Sequence, residues 1–242
     1  MTLHQLPIAN KERVIIVGAG IGGLAASLRL SHMGYNVKVF ETAETAGGKL
    51  RTITGQTGEI DIGPTVLTLL PVFQKLFRSV GEDIFDHIEL VRQKIIARHW
   101  WPDGETLDLH DDFESSRDAI LNFSGPESAK EFEKYFYDTR DLFSCFDIPV
   151  MQNPNPSMLD MNRAVLNNPK ILFKMHPLRT LSGLLNYKFR DKRLQQLFGR
   201  YATYVGGSPL ESPALLSLIW QAEARGVWSV KGGMKKLARV VE

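Results

Sequence analysis

The sequence has a single cysteine, Cys145, in 242 residues. That excludes an internal disulfide and any metal site built from cysteines. It has no excess of charge of one sign: 29 Lys and Arg against 27 Asp and Glu leave +2. Nothing global therefore points to a nucleic-acid partner. It has no apolar run near the roughly 20 residues that a spanning helix needs, no low-complexity linker and no internal repeat. The opening stretch is short and polar and does not read as a leader, so a cytoplasmic setting is expected. What is present, 43% hydrophobic and 23% charged, is the composition of a globular protein. The length allows one large domain or two modest ones.

The chain is organised around Val14 to Glu41. Val14-Ile-Ile-Val17 suits a buried parallel strand. Gly18-Ala-Gly20-Ile-Gly22-Gly23 follows, then an alanine-rich helical stretch to Met33, closed by Gly34. Val37-Lys-Val-Phe40 reads as the next strand, with Glu41 at its end. This is the dinucleotide fingerprint in its full context of strand, turn, helix, strand and acid. Gly18 permits the tight turn, Gly20 lets a diphosphate approach the backbone, and Gly23 lets the helix pack close to the strand. Unpaired N–H groups at the helix start, around Gly22, face the phosphates. Glu41 can accept hydrogen bonds from a ribose diol and would repel a 2′-phosphate. An ordinary strand–helix–strand unit with a glycine-rich turn would have no need of that acid. The pattern alone does not separate FAD from NAD.

Beyond it, Gly47-Gly48-Lys49 with Arg51 reads either as a second diphosphate contact or as a solvated basic loop. Ile60 to Ile62 is a short strand ended by Gly63-Pro64-Thr65, a tight corner able to lie against a flat ring. Val66 to Val80 reads as a helix with Pro71 in its first turn. From Ile88 to Leu109 strand-like runs and a Pro102-Asp-Gly104 turn suggest an antiparallel layer opening a second lobe. Asp111 and Asp112 read as helix caps rather than metal ligands. A helix follows to Ile120, and another from Pro126 to Cys145. Its aromatic bulk, Phe132, Tyr135, Phe136 and Phe143, is core or the wall of an apolar pocket. Cys145 has no evident base and reads as an inert thiol.

Asn153-Pro-Asn-Pro156 breaks the chain, and Ser157 caps a helix to Asn168. Lys170 to Arg193 mixes apolar bulk with cations and carries one acid, Asp191. It suits either a surface lying on anionic lipid or an internally packed helical hairpin with a wet basic face. Helices are expected over Arg193–Val205, Ser212–Ala222 and Lys235–Val241, with a short strand at Gly226–Val230. A doubly wound dinucleotide domain needs more parallel strands than these, so the sequence reads as an incomplete chain.

The sequence resembles the N-terminal half of the bacterial-type carotenoid (phytoene) desaturases, FAD-dependent flavoproteins related to the amine oxidases. The shared motifs are Gly18 to Gly23, Glu41, Gly47-Gly48-Lys49, Asp61-Ile-Gly63-Pro64-Thr65, and Gly226-Val-Trp228 leading into Gly232-Gly233-Met234. Ala97-Arg-His-Trp100, Leu107-Asp-Leu109 and Phe198 to Tyr204 are similar to the hydroxycarotenoid 3,4-desaturase (methoxyneurosporene dehydrogenase) subgroup. The resemblance covers nearly all of the chain, although members of that family run well beyond its length.

It implies an α/β, Rossmann-like FAD-binding domain with an inserted substrate lobe of antiparallel strands and helices. The FAD unit would be 1–85, the lobe 86–225 and the returning segment 226–242. Gly18, Gly20, Gly22, Gly23, Glu41, Gly48, Lys49, Arg51, Gly63, Pro64 and Thr65 would hold FAD, with no metal. The implied reaction makes a C3–C4 double bond in a 1-hydroxy or 1-methoxy carotenoid, with hydride passing to the flavin. The implied setting is peripheral, on the inner or an intracytoplasmic membrane. An FAD-dependent amine oxidase, an isomerase on the same fold, and a non-catalytic fragment stay open. No residue stands out as an obligatory base; Asp147 and Glu223 are available acids. Nothing in the residues identifies the electron acceptor.

Overall fold

A computed structural model describes residues 12–242; the polar opening stretch, read as carrying no leader, lies outside them. The chain divides into two compact units. One runs to Gln93 and resumes over Val227–Glu242; the other is Lys94–Gly226.

In the first unit the β-branched run gives β1 (Arg13–Val17), followed by α1 (Ile21–His32) and β2 (Asn36–Phe40). β1 and β2 pair in parallel, Val14 opposite Val37 and Val17 opposite Phe40. Gly34, at φ +92°, turns the chain out of α1, a conformation that favours glycine. β3 (Thr52–Gly55) and β4 (Gly58–Asp61) form an antiparallel hairpin.

The helix expected from Val66 is shorter: α2 spans Leu70–Arg78. Leu67 is held extended by two backbone bonds with Trp228, N–H to O at 2.8 and 2.9 Å. It cannot also wind into a helix. After α3 (Ile84–His87), β5 (Leu90–Arg92) pairs antiparallel with β8 (Trp228–Val230), and α10 (Lys235–Val241) follows. The antiparallel layer expected over Ile88 to Leu109 is thus divided, because the partner of β5 lies in the returning segment. Leu24, Leu50, Leu67, Phe77, Ile84, Leu237 and Val241 form the core of this unit.

The second unit opens with an antiparallel hairpin, β6 (Ile95–Trp100) and β7 (Thr106–His110). Gly104, at φ +84°, supplies the turn. Arg98 and Asp108 sit opposite each other and pair through two bonds of 2.6 Å. The Asp112 carboxylate accepts the Ser115 N–H at 2.8 Å and caps α4 (Phe113–Phe146). At Gly125 (φ 83°, ψ 175°) the helix kinks. Pro126 has no N–H to give and clashes with helical backbone before it, so the expected pair of helices meets end to end.

A π-helical turn over Asp147–Met151 leads to α5 (Met158–Asn167), where Ser157 and Asp160 cap each other reciprocally. Then come α6 (Lys170–Met175), α7 (Leu181–Lys188) and α8 (Lys192–Gly199). The single helix expected over Arg193–Val205 tightens to a 3-10 turn from Arg200 to Val205. Another 3-10 turn, Ala214–Trp220, runs into α9 (Gln221–Ala224). The core is aromatic: Phe132, Tyr135, Phe189, Phe198, Tyr201 and Trp220 pack with Leu107, Leu109 and Leu194.

The segment Lys170–Arg193 faces both ways. Ile171, Met175, Leu181, Leu184, Leu185 and Phe189 are buried, while Leu172, Phe173, Leu178 and Tyr187 are exposed. Many of its cations are paired: Lys174 with Asp138 and Asp141, Lys188 with Asp138, Arg190 with Glu131, and Arg193 with Asp191. Leu185 is therefore core and is no candidate for lipid contact. Among the described residues no helix is long and apolar enough to cross a membrane.

Candidate functional site: a backbone cradle after β1

The fingerprint builds its corner almost entirely from backbone. Gly18 turns at φ +98°, and its N–H donates to the Phe40 carbonyl at 2.7 Å, tying the turn to the end of β2. A Cβ on Gly23 would fall 2.0 Å from the Gly18 oxygen and 3.4 Å from Ile16. Only glycine lets α1 approach that closely.

Gly20 and Gly22 are different. A Cβ on either meets nothing within 4 Å, so open space lies in front of the helix start. The N–H groups of the first turn have no acceptor within the helix, and the helix dipole favours an anion there.

The Gly47-Gly48 loop forms the second wall. The Gly47 N–H donates to the Ala19 carbonyl at 2.8 Å. Gly47 and Gly48 both have positive φ, +126° and +58°, and a Cβ on Gly48 would lie 3.0 Å from the Gly20 Cα. Two glycine loops therefore meet edge to edge, with no room for a side chain at Gly47 or Gly48 and open space in front of Gly20 and Gly22.

Glu41 braces this corner. Its Oε2 accepts the Ala19 N–H at 2.8 Å; its Oε1 accepts the N–H groups of Thr42 and Ala43 at 2.7 and 2.9 Å, and the Thr42 hydroxyl. Hydrogen bonds from the Ala43, Ala19 and Thr42 backbones hold its carboxyl below the usual carboxylate range. The acid expected to receive a ribose diol is thus already engaged with the turn, and Oε2 keeps the freer lone pair.

Lys49 and Arg51 are exposed beside the loop. Gly63 abuts the same stretch: a Cβ there would fall 1.9 Å from the Lys49 oxygen. Pro64 and Thr65 follow Gly63 in the chain and are exposed. Asp61, one residue before Ile62, has a role the sequence reading did not assign. Its Oδ2 accepts the Met234 N–H at 3.0 Å at the head of α10, while its Oδ1 is buried without a partner. The Asp-x-Gly-Pro spacing together with the returning glycine pair was the signal that could have found it.

The structure thus brings Gly18, Gly20, Gly22, Gly23, Glu41 and Gly48 into one corner and sets Lys49, Arg51 and Gly63 beside it. An anion cradle with a carboxylate at the adjoining strand end fits the diphosphate and ribose of a dinucleotide. Asp147, one of the available acids, lies in the second unit at the end of α4, 3.9 Å from the Arg225 guanidinium. Glu223, the other, is buried there among Arg200, Tyr201 and Tyr204. Among the described residues no group of acids, histidines and cysteine could hold a metal ion.

Residues 16–82 match the family model described as an NAD(P)-binding Rossmann-like domain. Along 226 residues the chain is 45% identical to the hydroxyneurosporene desaturase of Cereibacter sphaeroides, covering 93% of this chain and 46% of that protein. It is 42% identical to the hydroxyneurosporene desaturase of Rhodobacter capsulatus, covering 96% and 48%. It is 28% identical to a 4,4'-diapolycopene oxygenase of Methylomonas, covering 96% and 47%. The chain spans about half the length of the curated relatives it matches. Among solved structures it is similar to wild-type putrescine oxidase, with a TM-score of 0.58, 16% identity, and 96% and 48% of the two chains covered. Cyclohexylamine oxidase from Brevibacterium oxydans gives 0.53, 20%, 96% and 49%. At these identities the structural likeness speaks for the fold alone.

Proposed function

Because this chain is homologous over nearly all of its length to the carotenoid desaturase family, we propose that it is part of an FAD-dependent oxidoreductase acting on a carotenoid. The reaction is C3–C4 desaturation of an acyclic carotenoid carrying a hydroxyl or methoxyl at C1. The observation that carries the cofactor reading is the open space in front of Gly20 and Gly22 at a helix start, with the Gly48 loop packed against Gly20 beside it. Gly18, Gly20, Gly22, Gly23 and Gly48 would hold the diphosphate, Lys49 and Arg51 would supply charge beside it, and the free lone pair of Glu41 would face a ribose hydroxyl. Gly63, Pro64 and Thr65 would border the flavin ring.

When bound, FAD supplies a two-electron acceptor for a hydride. The chain's own part is to hold the dinucleotide through backbone donors, position the polyene and exclude water. A conjugated chain delocalises positive charge at the reacting carbon, so no strong base has to be named for the proton that leaves. Substrate this apolar resides in a bilayer. Exposed Leu172, Phe173 and Leu178 beside Lys170 and Arg179 suit peripheral contact with anionic lipid on the cytoplasmic side.

The test has two arms. Protein purified from a carotenoid-producing host should be yellow and release FAD on denaturation; colourless protein that takes up NAD instead would sink the cofactor reading. Membranes containing the protein, fed 1-hydroxy and unsubstituted acyclic carotenoids, should lengthen the chromophore of the hydroxylated one. Preferential use of phytoene would point to the broader desaturase class. Peroxide release from a small amine would point to an oxidase.

A further inference from the structure

The last helix of the first unit starts poorly by its own sequence. α10 follows Gly232-Gly233-Met234, and its first turn carries Lys235 and Lys236 and no acid. Cations at a helix start oppose its dipole, and Met234 offers no side-chain cap to the free N–H groups there. The missing acceptor comes from 173 residues away: Asp61, at the end of β4, takes the Met234 N–H on Oδ2 at 3.0 Å. Gly233 allows this approach. Its φ is +87°, and a Cβ there would lie 3.3 and 3.4 Å from the two Asp61 oxygens.

Asp61 thereby joins two supports of one loop, all within the first unit. On the α10 side, Leu237, Ala238 and Val241 are buried in the core that also holds Ala19, Leu24 and Leu50. Ala238 reaches the loop itself, for a Cβ on Gly47 would lie 3.4 Å from the Ala238 Cβ. On the β4 side, Asp61 pairs with Thr52, and the Ile62 N–H donates to the Arg51 carbonyl at 3.0 Å. Gly63 abuts the Lys49 oxygen. Between these supports runs Gly47 to Arg51, whose Gly48 packs against Gly20.

We infer that Asp61 is a positioning residue for the cofactor corner. By tying β4 to the head of α10 it fixes the Gly47-Gly48 loop against Gly20, and so sets how tightly the dinucleotide is held. This rests on the cofactor reading above and assigns Asp61 no contact with the cofactor itself. A residue that only caps α10 would steady the fold and nothing more. The two roles part when α10 is loosened in protein that is still folded: a cap lowers stability alone, a positioning residue lowers affinity as well. The role needs only an acceptor. Asp61 Oδ1 is buried without a partner, so an asparagine keeps the bond to Met234 through its oxygen and has no second bond to lose.

The experiment titrates the whole deflavinated protein with FAD well below its melting temperature. Flavin fluorescence gives the affinity, and visible circular dichroism reports the setting of the bound ring. Asp61→Ala should weaken FAD about tenfold, the effect of one hydrogen bond transmitted to the site, and alter the dichroism. Asp61→Asn should restore both. Ala238→Gly, which keeps Asp61 and removes only the packing on Gly47, should weaken FAD several-fold. A folded Asp61→Ala protein that melts lower yet binds FAD with unaltered affinity overturns the proposal and leaves the cofactor reading standing. Asp61→Asn as weak as Asp61→Ala also overturns it, because the acceptor is then not what matters. If Asp61→Ala fails to fold, Ala238→Gly decides, and unaltered affinity there overturns the path through α10. Failure of the unaltered protein to take up FAD removes the cofactor reading, and this inference with it.

Discussion

Glycine residues a few positions apart in the fingerprint do opposite things, and substitution should separate them. Gly23 is glycine for packing: its missing Cβ is what keeps 2.0 Å from becoming a collision with the Gly18 oxygen. Gly23→Ala should cost about 3 kcal/mol or unfold the first unit, read as a shifted urea midpoint. In the proposed reading, Gly20 is glycine for a ligand. Its φ of −70° and ψ of 173° suit any residue, and a Cβ there meets nothing within 4 Å. Gly20→Leu should therefore leave the urea midpoint where it is and abolish retention of flavin. A stable Gly20→Leu protein that still copurifies with FAD would show that the diphosphate lies elsewhere. Glu41 carries a related lesson. A strand-terminal acid is visible in any reading of the sequence, but that it braces the Ala19 turn through Oε2 follows only from the closeness of two loops.

Among the elements, α8 shows how one acid anchors a helix. Asp191 accepts the Arg193 N–H at 2.8 Å, pairs with the Arg193 guanidinium at 2.9 Å and accepts the Ser124 hydroxyl. Burial raises its pKa, but these bonds outweigh it and hold the carboxyl at about 2. An unfolded aspartate titrates near about 4, so the folded state prefers the ionised form. That contribution is complete above about pH 4 and drains away as the pH falls through the folded value near 2. Asp191→Ala should lower stability by about 1–2 kcal/mol at pH 7, and the difference from the unaltered protein should shrink in melts run toward pH 2. α6 and the turn after it offer a second test. Phe173 and Leu178 are 80% and 99% exposed, whereas Leu185 is 1% exposed. Phe173→Glu with Leu178→Glu should leave the melting temperature unchanged and weaken flotation with anionic liposomes several-fold. Leu185→Glu should unfold the lobe. If the double variant floats as before, lipid meets another surface.

For the molecule as a whole, the telling feature is the outer face of the β1–β2 pair. Parallel strands are ordinarily covered on both faces. Here Val14, Ile16, Val37 and Val39 are partly covered, while Ile15, Val17 and Phe40 on the other face are exposed. Among the described strands β1 pairs with β2 alone, leaving its other edge open. In this chain taken by itself, an apolar face beside an open edge favours self-association. Ile15→Lys should reduce binding of a hydrophobic dye and light scattering while changing stability by no more than about 0.5 kcal/mol. Loss of folding in that variant would show that the face is covered in solution.

The sequence by itself determined what is local. Turn glycines, the Asp112 and Ser157 caps, the break at Pro126 and the last helix are each specified within a few residues, because steric limits on φ and the needs of helix ends act over that range. The Rossmann-like unit was legible for the same reason: its strand, turn, helix and acid are contiguous. Tertiary structure decided what lies far apart in sequence. The periodicity of Lys170–Arg193 told which side chains avoid water but not which of them the core receives; the tertiary structure buried Leu185 and left Phe173 exposed. It moved β5 to its partner β8 and set Gly63 against the Lys49 backbone. It also turned Glu223 from a lone acid into the centre of a buried network with Arg200, Tyr201 and Tyr204. Hydrogen bonds across such separations leave no periodic trace in a chain; they exist only once the aromatic core has closed around them and removed the water that would otherwise compete.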